Sequence, residues 1–210
     1  MELHLSPNFK HDKLDSPNFQ DLVDVFEDTW EHCIFAPVQL MLKTPHGDIA
    51  AMMILSTYFE VIQICSTGQD SIGKSQAFFV NGFCRVFKSD SHGLEEAAKA
   101  IYKYIRCGLT HEGMLSHKVN YSRLGAKPFF LTYPKKDGNL DLNAGVTSIV
   151  INPQTFYIAI KNHFDGYVSV LRAERDKEIM DAFEVTFKRL WGLGTGENIV
   201  GMTEHEFLAK

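Results

Sequence analysis

An arginine and a histidine five positions apart, Arg106 and His111, stand in the segment Ile101-Tyr102-Lys103-Tyr104-Ile105-Arg106-Cys107-Gly108-Leu109-Thr110-His111-Glu112-Gly113. A guanidinium offers paired, planar donors that grip two phosphate oxygens at once. An imidazole titrates close enough to neutrality to move a proton during a reaction. Together the two side chains suit chemistry at a phosphate. Their surroundings carry the matching charge: from Lys99 to Lys136 the chain has eight basic residues, among them Lys103, Lys118 and Arg123, against the single acid Glu112, a balance of +7. From Asp15 to Glu31 six acids meet no Lys or Arg, a balance of −6, so that stretch is expected to face solvent or a partner's basic surface.

Two other patterns invite chemistry and lose it on context. Gly68-Gln69-Asp70-Ser71-Ile72-Gly73-Lys74-Ser75 satisfies the nucleotide-binding pattern G-x-x-x-x-G-K-[ST]. Such a loop needs a buried strand before it, yet Tyr58 to Cys65 continues a helical pattern. A plain helix-to-helix loop capped by Ser75 is expected, and a P-loop nucleotidase is the third-ranked function. His111-Glu112 followed by His117 misses the zincin spacing, since Leu115 stands where the second His belongs, so no metal ligand is assigned.

The elements that must hold the Arg and His are mostly helical. Ser16 and Pro17 read as N-cap and first helical residue, followed by Phe19, Leu22, Val23, Phe26 and Trp30 at helical spacing. Thr44-Pro45 reads as the start of a second, largely buried helix to about Ser66, closed by Gly68. Further helices fit Ser75–Phe87, whose Phe78, Phe79, Phe83 and Phe87 are read as core, and Leu94 to about Arg106. Phe129–Tyr133, Leu140–Asn143 and Val146–Ile151 read as a small hairpin or meander turning at Lys135-Lys136-Asp137-Gly138. Asn152-Pro153 then starts a helix through Phe156, Ile160, Phe164, Tyr167 and Leu171, with a strand pair turning at Asp165-Gly166 as the alternative. A last helix fits Glu174–Trp191, ended by Gly192, Gly194 and Gly196. The expected fold class is mainly α: residues 1–14 form a polar lead-in, 15–191 one helical bundle with a β elaboration at about 128–151, and 192–210 a polar tail.

Composition narrows the function. A net charge of −5 over 210 residues disfavours a protein that coats nucleic acid generically. Cys33, Cys65, Cys84 and Cys107 lie far apart with no CxxC pair, so neither a disulfide framework nor a structural metal is indicated, and a reducing, cytoplasmic setting is expected. The N-terminus lacks the basic flank and apolar run of a secretory signal. The most apolar stretch, Ile49 to Ile64, is interrupted by Ser56, Thr57, Glu60 and Gln63 and reads as a buried helix rather than a membrane span.

The segment Tyr102 to His111 resembles the R-x4-6-H motif of the HEPN (higher eukaryotes and prokaryotes nucleotide-binding) superfamily, whose small helical domains carry a Tyr, then Arg, then Gly-Leu and His in such a helix. The likeness extends more loosely through the helix at Tyr58, the loop at Gly73 and the aromatic helix Phe78–Phe87, about half the chain. It implies a HEPN-like bundle, a homodimer with both motifs at the interface, and catalytic roles for Arg106 and His111 in metal-independent RNA cleavage without a cofactor. Lys103, Cys107, Lys118 and Arg123 become candidate substrate-binding residues. The residue after the Arg is usually polar in HEPN ribonucleases, and here it is Cys107. That departure, with the acidic total charge, keeps open an alternative of another class: a non-catalytic module that binds a nucleotide or a protein partner. One geometric obstacle is visible: five residues on an α-helix set two side chains ~140° apart, so convergence needs a long Arg, a relaxed turn near Gly108, or a second subunit.

Overall fold

The computed structural model of the protein describes residues 4–89 and 93–193. Its first strands, β1 (His4–Ser6) and β2 (Phe9–Lys10), pair antiparallel and lead through a 3-10 turn, His11–Leu14, to the first long helix. This lead-in is docked onto the bundle. Leu5 and Leu14 are buried, and the buried carboxylate of Asp28 accepts hydrogen bonds from Ser6 Oγ (2.5 Å), Asn8 N (2.9 Å) and Asn8 Nδ2 (2.6 Å). Burial works against the Asp28 charge, but these donors outweigh it and hold the carboxyl below its ordinary range.

Asn18, not Ser16, starts helix α1 (Phe19–Asp28). The Asn18 side chain accepts from Asp21 N while the Asp21 carboxylate accepts from Asn18 N, a reciprocal cap. Counting from Ser16, the reciprocating position would be Phe19, which has nothing to offer. Thr29–Phe35 continues the rod as a π-helix into α2 (Ala36–Lys43), an element the sequence reading did not assign. Thr44-Pro45 ends that rod instead of opening the next. Thr44 is extended, as a residue before proline must be, and both its N–H (3.0 Å) and its hydroxyl (2.8 Å) bond Met41 O. Helix α3 therefore begins at Asp48 and runs to Thr67, closed by Gly68 in the left-handed region at φ 71°.

The aromatic side chains arrange everything else around α3. On one side Phe59 meets Phe79 (5.1 Å between centroids) and Phe83 (5.0 Å) of α4 (Ser75–Val86). The two backbones are close enough that a Cβ on Gly82 would collide with the carbonyl of Phe59. On the other side Tyr58 packs edge-on to Trp30 at 5.3 Å. Phe78, Phe79, Phe83 and Phe87 are all buried, as their spacing predicts. By length and composition α3 could cross a membrane, which its polar interruptions argued against, and 50% of that stretch is buried inside the protein.

Helix α5 (Leu94–Ile101) does not stop near Arg106: it passes into an eleven-residue π-helix, Tyr102–Glu112, closed by Gly113 at φ 68°. A three-stranded sheet follows. β3 (Val119–Tyr121) lies parallel and β4 (Phe129–Thr132) antiparallel to β7 (Ser148–Ile151), in the order β3-β7-β4. Between β4 and β7 a two-residue-per-strand hairpin, β5 (Lys135–Lys136) and β6 (Asn139–Leu140), turns at Asp137-Gly138 with φ 51° and 81°. The expected purely antiparallel meander is thus corrected by β3, a strand three residues long that carries no periodicity of its own.

Asn152 caps α6 (Pro153–Ala173), accepting from Gln154 N (3.1 Å), and the helix runs unbroken through Gly166, so the strand-pair alternative falls. Helix α7 (Lys177–Leu190) starts three residues later than expected, because Asp176 supplies the cap to Ile179 N (3.1 Å) while Glu174 ends α6 at φ 50°. Gly194, Gly196 and the remainder of the expected tail lie outside the described residues. The protein is mainly helical with small sheets.

The acidic run is not an open surface. Lys13 bridges Asp21 (2.7 Å) and Asp24 (2.8 Å), Arg172 binds Asp24 and Glu27 (2.6 Å each), and Lys161 reaches Glu31 at 2.8 Å. Cations from the lead-in and from α6 fold back onto it. Asp21, Asp24, Glu27 and Glu31 are thus paired within the chain, while Asp15 faces solvent.

A candidate phosphate-handling site on a π-helix

In a π-helix the backbone hydrogen bonds close from i to i+5, so positions five apart come about one turn apart on the same side of the cylinder. Arg106 and His111 are such a pair, inside the π-helix Tyr102–Glu112. The backbone thereby narrows the ~140° divergence that an α-helix would impose to roughly 50°. Gly108, between them, is part of the same winding. His111 is exposed and Arg106 half-buried.

The π segment is fixed by packing on its inner side. Tyr102 meets Phe79 edge-on at 5.2 Å, and its hydroxyl shares a hydrogen bond with Cys107. Burial first, then this bond and the negative charge of Glu60 push the Tyr102 hydroxyl up, while Arg106 opposes them. Tyr102, Cys107, Arg106 and Glu60 of α3 thus belong to one electrostatic neighbourhood. Ile105 and Leu109 are buried, on a segment that packs against α3 and α4.

The outer side carries charge. Lys103 Nζ and Lys118 Nζ lie 5.4 Å and 5.7 Å from the centroid of the Tyr104 ring, so the ring gathers two cations from separate elements. The other proposed binding residues part company. Cys107 is engaged inward with Tyr102. Arg123 donates to Asp48 Oδ1 (2.5 Å) and to Leu42 O (2.8 Å), tying the loop after β3 to the α2–α3 junction. Its charge is spent on Asp48 and does not join the cluster at Tyr104. Lys99 pairs with Glu95 at 3.2 Å, which trims the local excess of positive charge further.

Neither the recess of about 460 Å³ beside Phe87, Lys88, Lys127 and Phe130 nor one of about 210 Å³ beside Phe26, Trp30 and Trp191 includes Arg106 or His111. The Gly68–Ser75 loop joins α3 to α4, with no strand before it, and Lys74 rather than Ser75 takes the cap position. The strand–loop–helix frame of a P-loop is absent there, and the nucleotidase reading is withdrawn. Among the described residues no three His, Cys, Asp or Glu side chains converge to hold a metal ion.

A polar pair that the sequence did not single out lies across the bundle: Tyr58 of α3 and His163 Nδ1 of α6 are 2.8 Å apart. Burial, helped by Lys88 and Arg85, pushes His163 down to about 4. Because the folded value lies below the unfolded one, the neutral imidazole supports the fold at neutral pH. That support erodes as pH falls below about 6.5 towards 4, where the unfolded chain takes up a proton that the folded one refuses. We expect the His163 ring resonances to stay unprotonated through pH 5 in an NMR titration; a midpoint near 6.5 would contradict the buried pair. No protein-family model, curated protein or solved structure matches the chain.

Proposed function

We propose that the protein is a HEPN-type, metal-independent endoribonuclease acting as a homodimer, with Arg106 and His111 as its catalytic pair. The observation that carries this reading is the π winding of Tyr102–Glu112, which sets the two positions on one side of the helix. The π-helix is rare, and its single-turn bulges are frequent at functional sites. In the reaction a ribose 2′-oxygen attacks the adjacent phosphorus and the 5′-oxygen leaves, giving a 2′,3′-cyclic phosphate and a 5′-hydroxyl. His111 takes the 2′-hydroxyl proton or delivers one to the leaving oxygen. Arg106 grips the non-bridging oxygens as their charge grows, and the Lys103–Tyr104–Lys118 cluster holds the neighbouring backbone. A second copy across the interface brings a second imidazole, so that one serves as base and the other as acid.

The test is incubation of the full chain with a mixed single-stranded RNA pool in excess EDTA, reading the ends of any products. Cyclic-phosphate and 5′-hydroxyl ends, from a protein whose light-scattering mass is that of two chains, are the expected outcome. Products ending in 3′-hydroxyls would contradict the mechanism. The inward engagement of Cys107 with Tyr102 favours a second reading, a phosphate-binding module that does not cleave. RNA bound by wild type, released with Arg106→Gln, and never cut would favour it over the first.

A further inference from the structure

Strand β4 lies at the end of its sheet, hydrogen-bonded to β7 on one side only. The register pairs Phe130 with Val150, and Asn152 N donates to Pro128 O at 2.9 Å. In an antiparallel ladder, residues that exchange bonds with the neighbouring strand alternate with residues that turn theirs away. Pro128 and Phe130 therefore face β7. The N–H and C=O groups of Phe129 and Leu131 point to the open edge, where no hydrogen bond takes them up among the described residues.

That edge opens onto the recess of about 460 Å³, whose lining joins Phe129, Phe130 and Leu131 of β4 to Phe87, Lys88 and Leu94 of the α4–α5 corner. The Phe129 ring packs inward on Phe87 at 5.1 Å, while Phe130, on the other face of the strand, is 56% exposed. An open edge of this kind is a template for another strand: main-chain bonds give affinity, and the flanking side chains select the partner. Here charge makes the selection. Lys88 and Lys127 line the recess, and no carboxylate does among the described residues. Lysines beside an edge repel a second copy of it, which brings the same charges, and attract a strand that carries acids. Lys127 is two residues from Phe129, and Lys88 follows Phe87, so the positive charge collects at the Phe129 end. The other end is less basic, because Glu96 acts on Tyr133 there.

We propose that β4 and this recess bind an extended acidic peptide segment of a partner protein by strand addition, its backbone paired with Phe129 and Leu131 and its carboxylates held by Lys88 and Lys127. Neither Arg106 nor His111 lines the recess, so this site and the RNA-cleavage reading do not depend on each other.

The experiment titrates the full, isotope-labelled chain with a fluorescein-tagged peptide of alternating valine and threonine flanked by glutamates, following anisotropy and backbone amide exchange. Saturable binding is expected, with exchange at Phe129 and Leu131 slowed about tenfold or more and that at Phe130, already bonded to β7, unchanged. The same peptide N-methylated at every amide keeps its charge and side chains but has no N–H to donate, and is expected not to bind. The double variant Lys88→Glu, Lys127→Glu changes two exposed side chains, so its melt is expected to match wild type. Its affinity for the acidic peptide is expected to fall about tenfold, and a lysine-flanked peptide to bind it better than wild type. A response that never saturates, or equal binding of the N-methylated peptide, would overturn the proposal. So would slowed exchange at Phe129 and Leu131 that follows added oligouridylate or protein concentration alone, which would give the edge to RNA or to a second copy.

Discussion

His111→Ala is expected to slow metal-free RNA cleavage by on the order of 10²–10⁴-fold, the usual contribution of a positioned proton-transfer group, with the thermal midpoint unmoved. The side chain is exposed, so its loss opens no cavity. Arg106 tests a different function on the same turn. Arg106→Lys keeps a positive charge at the phosphate but loses the two-pronged geometry, and a planar fork is not replaced by a point charge. We expect the lysine variant to retain RNA binding and to fall well below wild type in cleavage rate. Circular dichroism and a melt on each purified variant separate lost chemistry from lost structure. A variant set in which His111→Ala cuts RNA as fast as wild type removes His111 from the reaction.

Gly82→Ala is the largest structural effect the fold implies. The added Cβ would collide with the carbonyl oxygen of Phe59 and lie 3.1 Å from its Cα, so the obstacle is backbone and no rotamer change relieves it. Helices α3 and α4 must separate, and with them the contacts of Phe59 to Phe79 and Phe83. Overpacking of this kind costs about 3 kcal/mol, which for a chain of this length lowers the thermal midpoint by on the order of 6–12 °C. The damage extends to the site, because Tyr102 rests on Phe79 of α4. Reduced cleavage at temperatures where the protein is still folded is therefore expected as well. A melt within 1–2 °C of wild type, roughly the shift of a harmless surface change, would mean that the helices do not approach as closely as described.

Legibility from sequence followed the range over which each feature is decided. Gly68, Asn152-Pro153 and Asp137-Gly138 are local signals, and the helix ends and turn they mark are found where the residues stand. The first cap was readable in principle: Asn18 has Asp21 three residues on, while Ser16 has Phe19 there. The continuation into α2 was hidden because Pro37 sits in its first turn and Thr44-Pro45 mimics a start. Both π segments escaped, since π winding follows from how a helix is packed rather than from any residue's propensity. Tyr102 anchored on Phe79, with Ile105 and Leu109 buried, sets the winding that Arg106 and His111 depend on. Charge misled for the same reason: Asp15–Glu31 looks bare in sequence because Lys13, Lys161 and Arg172 reach it from outside that stretch.

The claim that Arg106 and His111 act as one site is tested most directly by a double-mutant cycle on RNA cleavage in EDTA. Wild type, Arg106→Ala, His111→Ala and the double variant are compared under single-turnover conditions. Groups that serve one transition state are strongly non-additive, so the double variant is predicted to be little slower than the slower single variant. Losses that simply multiply would show two independent residues on one helix and would contradict the shared site.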